Sequence, residues 1–228
     1  MKTKIVFLLF LPILSCSVFA DTVINSLPYT ITRPGVYVLE RNLTLTTPVP
    51  VLISVNASDA ILDLQNHSIT GSATQWIISV NSVDNVKILN GGIVNNNGTS
   101  TANGTGGGIF LNGMGGSSLL DNLNVSAFNG AVMDNFGQSN VVRNCQLQSG
   151  LTSRPAVLFT NTRNDLVENC RIFSLLIGIQ CIVHSEHATN AFIGNFITVP
   201  GGGALDILNS DVAARNFGNI NIPAQNSQ

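Results

Sequence analysis

A short unit, apolar-apolar-x-Asn-apolar-x-apolar, returns along this chain at nearly constant spacing, and a period of that length constrains the fold more than any other feature of the sequence. The plainest copies are Val141-Val142-Arg143-Asn144-Cys145-Gln146-Leu147, Leu166-Val167-Glu168-Asn169-Cys170-Arg171-Ile172 and Leu119-Leu120-Asp121-Asn122-Leu123-Asn124-Val125. Phe192-Ile193-Gly194-Asn195-Phe196 is a fourth, and weaker copies centre on Asn42, Asn66, Asn90 and Asn216. Successive asparagines are separated by 24, 24, 32, 22, 25, 26 and 21 residues. Apolar residues alternating on both sides of each Asn describe two short strands joined by a tight bend, and Asn tolerates the left-handed backbone that such a bend requires. A further alternating block precedes each bend: Ile78 and Val80, Ile109 and Leu111, Val132, Val157 and Phe159, Ile179 and Cys181, Leu205 and Ile207.

Three short strands per turn make a solenoid rather than a sandwich. One coil cannot bury its own apolar face, so neighbouring coils must stack at ~4.8 Å. The expected fold is all-β: a right-handed parallel β-helix of about eight coils, with Asn42, Asn66, Asn90, Asn122, Asn144, Asn169, Asn195 and Asn216 stacked as an internal ladder. Composition agrees, since charged residues are only 10% and hydrophobic ones 44%, which excludes a disordered polyampholyte.

The start of the chain reads as an export signal. Met1-Lys2-Thr3-Lys4, the apolar run 5–14 and the small-residue site Val18-Phe19-Ala20 assign residues 1–20 to a signal peptide and 21–228 to one domain. The apolar run is too short to span a bilayer. A secreted, periplasmic or cell-envelope location follows; in the alternative, Ile13-Leu14-Ser15-Cys16 resembles a bacterial lipobox and would anchor the chain through Cys16. Without Lys2 and Lys4 the balance is 8 − 12 = −4, Lys87 is the one remaining lysine and the arginines are scattered. A nucleic-acid partner, which needs a dense basic face, is excluded on that ground.

Across residues 21–228 the chain resembles the right-handed parallel β-helix proteins of the pectate-lyase-like superfamily. The repeated bend Asn is similar to that family's internal asparagine ladder, and the coil Ala60-Ile61-Leu62-Asp63-Leu64-Gln65-Asn66-His67-Ser68-Ile69-Thr70-Gly71 resembles one common among its secreted members. The resemblance implies a fold that hosts lyases, hydrolases, adhesins and accessory proteins alike. Lyases of the family hold calcium with clustered carboxylates, and its hydrolases pair carboxylates as acid and base. No Asp-Asp pair, Asn-Thr-Asp run or Gly-His-Gly segment is present here, so no catalytic residue carries over. No cofactor and no metal site is expected, with calcium left as a possibility.

Four groups of residues remain as candidates. Asp121, Arg143 and Glu168 precede the bend in three successive coils, which reads as an outward ladder of alternating charge. Cys145 and Cys170 share the position after the bend and read as a packed thiol pair, with a disulfide or a metal site left open. His184-Ser185-Glu186-His187 falls in a longer connection without a third ligand, and His67 reads as a turn residue. The outward positions of the first strand are Ser79, Phe110, Met133, Leu158, Gln180 and Asp206, where Phe110, Met133 and Leu158 form an apolar stripe beside the insertion 91–108, a candidate groove wall.

The leading expectation is a non-catalytic, adhesin-like solenoid that binds a polysaccharide, a surface glycan or a protein through Phe110, Met133 and Leu158. The alternative is a divergent polysaccharide lyase or glycoside hydrolase built around Asp134, Arg163, His184, Glu186 and Asp206. A second alternative is a structural or assembly protein that forms oligomers through an open last coil.

Overall fold

The computed structural model describes residues 21–97, 106–113, 116–150, 154–175, 177–182, 190–200, 203–208, 215–217 and 220–223; for Cys181, Ile182 and the strands beyond Pro200 it gives the backbone course alone. The expected signal peptide with Cys16, the centre of the 91–108 insertion, and the loop with His184, Glu186 and His187 lie outside the described residues.

Every pairing is parallel, and each strand bonds to the strand one turn before and one turn after it. The chain is a right-handed parallel β-helix with three faces. Face 1 stacks Gly107–Asn112, Val132–Asn135, Val157–Thr160 and Ile177–Ile182. Face 2 stacks Val141–Arg143, Leu166–Glu168 and Ala191–Ile193, and face 3 stacks Gln146–Ser149, Arg171–Ser174 and Phe196–Val199. Lys87–Asn95 and Leu119–Ala127 run unbroken from face 2 through the bend into face 3. About six turns run through all three faces between Gly35 and Ile182, fewer than the eight expected, and further paired strands continue at both ends.

Alternation decides the core. Ile78, Ile109, Val132, Val157 and Ile179 on face 1, Ile88, Leu120, Val142, Val167 and Phe192 on face 2, and Ile93, Val125, Leu147, Ile172 and Ile197 on face 3 are each at most 2% exposed. A one-residue slip in any coil would turn its column to solvent, so the pattern fixes register as well as fold. Phe159 and Phe192 meet across the interior with ring centroids 6.2 Å apart.

The asparagine column is where the structure corrects the sequence. Asn66, Asn90, Asn122, Asn144 and Asn169 do hold left-handed φ values of 63°, 55°, 56°, 54° and 53°. Yet the side chains of Asn42, Asn66, Asn122, Asn144 and Asn169 are exposed, and that of Asn90 is half-buried. The reason is geometric: the bend inserts one residue between an outward position such as Arg143 and an inward one such as Cys145, so the bend side chain also points out. There the amides link coils from outside, Asn122 Nδ2 donating to Asn90 Oδ1 at 3.0 Å and Asn90 Nδ2 to Asp63 Oδ1 at 3.1 Å.

Two members of the column also sit elsewhere. Pairing of Glu168 with Ile193 and Arg171 with Phe196 puts Gly194, at φ 63°, on the bend. Asn195 therefore takes the inward position of Cys145 and Cys170; it is 1% exposed, and its Oδ1 accepts the Cys170 N–H at 2.9 Å. Asn216 pairs with Phe192, two residues before the bend level.

A buried ladder does exist, at the corner between faces 1 and 2. The N–H of Ser118 donates to Asn140 Oδ1 at 2.8 Å, that of Asn140 to Asp165 Oδ1 at 2.8 Å, and that of Asp165 to Asn190 Oδ1 at 3.0 Å. All three acceptors are 2% exposed or less, so each satisfies a backbone donor that water cannot reach.

Candidate functional site

Face 1 carries the stacked aromatic pair of the described residues. At the start of its strands two consecutive residues point inward, Ile77 and Ile78, Ala131 and Val132, Ala156 and Val157, all at most 1% exposed. The chain bends just before them, and of the residues at the preceding level Trp76 is half-buried while Gly107, Gly130 and Pro155 are covered. Trp76 pairs with Gly107 in the next turn, and a Cβ built on Gly107 would collide with the indole. Glycine here is a packing requirement: it lets the ring lie flat on the backbone. From there Trp76 stacks on Phe110, with centroids 5.0 Å apart and planes 19° from parallel.

A small apolar crevice of about 20 Å³, room for one water, lies beside this pair, lined by Trp76, Asn129, Gly130, Val132, Met133, Arg154, Pro155 and Leu158. The expected column of Ser79, Phe110, Met133, Leu158, Gln180 and Asp206 is paired rung by rung in the backbone. It is less open than expected: Phe110 and Met133 are half-buried, and Leu158, at 7% exposed, is part of the crevice's base rather than a free surface. Two residues along each strand lies a second outward column, Asn81, Asn112, Asn135 and Thr160, which is polar and uncharged.

The other expected candidates do not gather here. Asp134 pairs with Leu111 and Phe159 in the inward column and is 0% exposed. Its Oδ2 accepts the Asn140 amide at 2.6 Å, and its Oδ1 the Gly137 N–H at 3.2 Å. Burial, with the charge of Asp165 adding to it, pushes the Asp134 carboxyl up to about 7 against the pull of those two bonds. Burial likewise raises Asp165 to about 6, and its Oδ2 has no hydrogen-bond partner. Arg163 is exposed on the turn after face 1, so it and Asp134 lie on opposite sides of the wall. The backbone of Asp206 pairs with that of Gln180, while His184 and Glu186 lie outside the described residues. Among the described residues no group of three His, Cys, Asp or Glu side chains could hold a metal ion.

The charge column is on face 2. Arg143 pairs with Asp121 and Glu168, and its Nη2 and Nε reach Asp121 Oδ2 at 2.7 and 2.9 Å. Burial would raise the Asp121 carboxyl, but Arg143 and the Asn144 amide together hold it below its usual value. Cys145 and Cys170 are buried free thiols, and Cys170 is raised by its hydrogen bond to Cys145 and by burial. His67 borders a polar groove on the bend side with Asn66, Asn122 and Asn144.

Sequence reasoning missed Trp76, Gly107, Gly130 and Pro155. The signal was available, since this is the one tryptophan of the chain and the two glycines stand at equal offsets before Ile109 and Val132.

No family model and no curated protein matches this sequence. Among solved structures the chain is similar to the Dettilon tailspike protein, with a TM-score of 0.57 and 12% identity over 87% of this chain and 42% of that one. At that identity the likeness shows the fold, a parallel β-helix, and the chain spans about two fifths of the length of the tailspike chain. Among the described residues no helix is long and apolar enough to cross a membrane.

Proposed function

We propose that this chain is a glycan-binding, adhesin-like solenoid of the pectate-lyase-like kind, exported to the cell surface or beyond, and that face 1 is its binding surface. The observation that carries the reading is the Trp76–Phe110 stack on the outer surface of face 1, followed by an uncharged polar column. An aromatic face is electron-rich and attracts the polarised C–H edge of a pyranose ring, while amides and hydroxyls beside it exchange hydrogen bonds with sugar hydroxyls. The fold likeness to a tailspike is consistent with a surface-acting solenoid.

The test is a glycan-array and calorimetric comparison of the parent with Trp76→Ala and Phe110→Ser. Both variants should lose binding with the far-ultraviolet circular dichroism of the parent. Retained binding in both would remove face 1 from the reading. Release of reducing or unsaturated ends from a bound glycan, lost in Asp206→Asn, would favour the lyase or hydrolase alternative instead.

A further inference from the structure

At the corner that follows face 1, successive turns place one residue in left-handed backbone: Ser82 at φ 53°, Gly113 at 108°, Phe136 at 63° and Asn161 at 56°. They stack in register, the N–H of Gly113 bonding to the Asn135 carbonyl at 3.0 Å and that of Phe136 to the Thr160 carbonyl at 2.9 Å. Serine, glycine and asparagine suit this backbone; a bulky aromatic residue there is an outlier. Packing does not explain it either, because Phe136 is the most exposed large apolar side chain among the described residues, at 51%. A residue that fits neither its backbone nor a core, in a stack otherwise well chosen, points to a surface task.

Phe136 borders the far end of face 1. Trp76 lies at the other end, two turns earlier and about six residues back along the strand, so the two residues are roughly 22 Å apart along an oblique line. Between them the described outward residues Phe110, Asn112, Met133 and Asn135 are uncharged, and the nearby cations stand at the margins, Arg154 in the lining of the crevice and Arg163 on the turn after face 1. A uronate repeated along this strip would find a cation only at its margins and none along its middle.

We propose that Phe136 is a second stacking platform of this face, and that its ligand is an extended neutral glycan lying obliquely from Trp76 to Phe136. The proposal rests on the glycan-binding reading of face 1. An occupant of that length is an oligosaccharide rather than a single sugar, and its hydroxyls would meet the amides and hydroxyl of the polar column while its ring faces meet the aromatic ends.

The experiment is calorimetric titration of the full mature chain with neutral hexasaccharides (β-1,4-glucan, β-1,4-mannan, β-1,4-xylan and α-1,4-glucan) and with hexagalacturonate, for the parent, Phe136→Asn, Phe136→Tyr and Trp76→Ala. A neutral hexasaccharide should bind, more tightly than hexagalacturonate and than its own disaccharide. Phe136→Asn should weaken it about tenfold while the melting temperature stays equal to or above the parent's, because Asn suits the left-handed backbone; Phe136→Tyr should keep the parent's affinity. Unchanged affinity in Phe136→Asn with loss in Trp76→Ala would overturn the second platform and leave face 1 standing. A lower melting temperature in Phe136→Asn would make Phe136 a packing residue, and preference for hexagalacturonate would overturn the neutral class. No hexasaccharide binding by the parent would contradict the glycan reading itself.

Discussion

At the bend between faces 2 and 3, Asn144 and Asn169 hold φ values of 54° and 53° with exposed side chains, the Asn144 amide donating to Asp121 Oδ1 at 2.9 Å; at the corner between faces 1 and 2, Asn140 and Asn190 are buried with their amide oxygens on backbone N–H groups. The same residue type recurs once per turn at both places for different physical reasons. At the bend the backbone is what matters, and glycine replaces asparagine at Gly194. At the buried corner the side chain is what matters, and Asp165 replaces asparagine with a second carboxamide-like acceptor. A periodic Asn therefore identifies a solenoid without telling which corner carries its interior ladder.

The largest expected effect separates the two corners. Asn140→Ala leaves the Ser118 N–H without its acceptor and Asp134 Oδ2 without its donor, which should cost roughly 2–4 kcal/mol in urea unfolding. Asn144→Ala should cost about 1 kcal/mol for the left-handed backbone, and Asn144→Gly close to nothing. Equal costs at 140 and 144 would erase the distinction.

Next comes a contrast in pH dependence. Asp165 and Asp134 are raised to about 6 and about 7, whereas an unfolded Asp titrates near ~3.9. The stability contributed by the protonated pair is thus fully present below the unfolded value and is lost as pH rises through 6 to 7. Asp121 has the opposite sign: its lowered carboxyl contributes above the unfolded value and loses that contribution as pH falls through its folded one. Chemical denaturation between pH 4 and 8 should show the parent weakening toward pH 8. In Asp165→Asn, which gives the column three amides in succession, the slope should shrink and stability at pH 8 should rise by something on the order of 1–3 kcal/mol. A parent with flat stability across that range would contradict a protonated buried pair.

The smallest effect belongs to the exposed charge column. Asp121→Asn removes the partner of Arg143 on a surface where salt screens and water competes, so the unfolding midpoint should barely move, and less still at high salt. A loss comparable with Asn140→Ala would mean that the outer ladder, not the inner one, holds the coils in register.

Much of the molecule was legible because its parts repeat. The inward columns through Ile109, Val132 and Val157, the left-handed bends, the pairing of Asp121 with Arg143, and the outward register of Phe110 and Met133 all follow from alternation with period two and stacking with a fixed turn length. What was not legible depends on deviations from that repeat. Asn195 misled because one glycine shifted its coil by a residue. Asp134 looked like a surface acid because its neighbours in the column are apolar and its hydrogen-bond partners, Asn140 and Gly137, follow only after a turn whose path alternation does not describe. Trp76 escaped because the paired inward residues Ile77 and Ile78 break the alternation just where the ring turns outward, and Phe136 because nothing in a sequence displays its φ of 63°.

The central claim, that face 1 holds the glycan against Trp76, has a direct probe in the chain itself. Trp76 is the sole tryptophan, so intrinsic emission excited at the indole band reports on this site alone. Titration with the neutral hexasaccharide that calorimetry finds to bind should give a saturable change in emission intensity and wavelength, with the calorimetric Kd. Binding of that hexasaccharide with no change in Trp76 emission would place the ligand elsewhere on the solenoid and contradict the account.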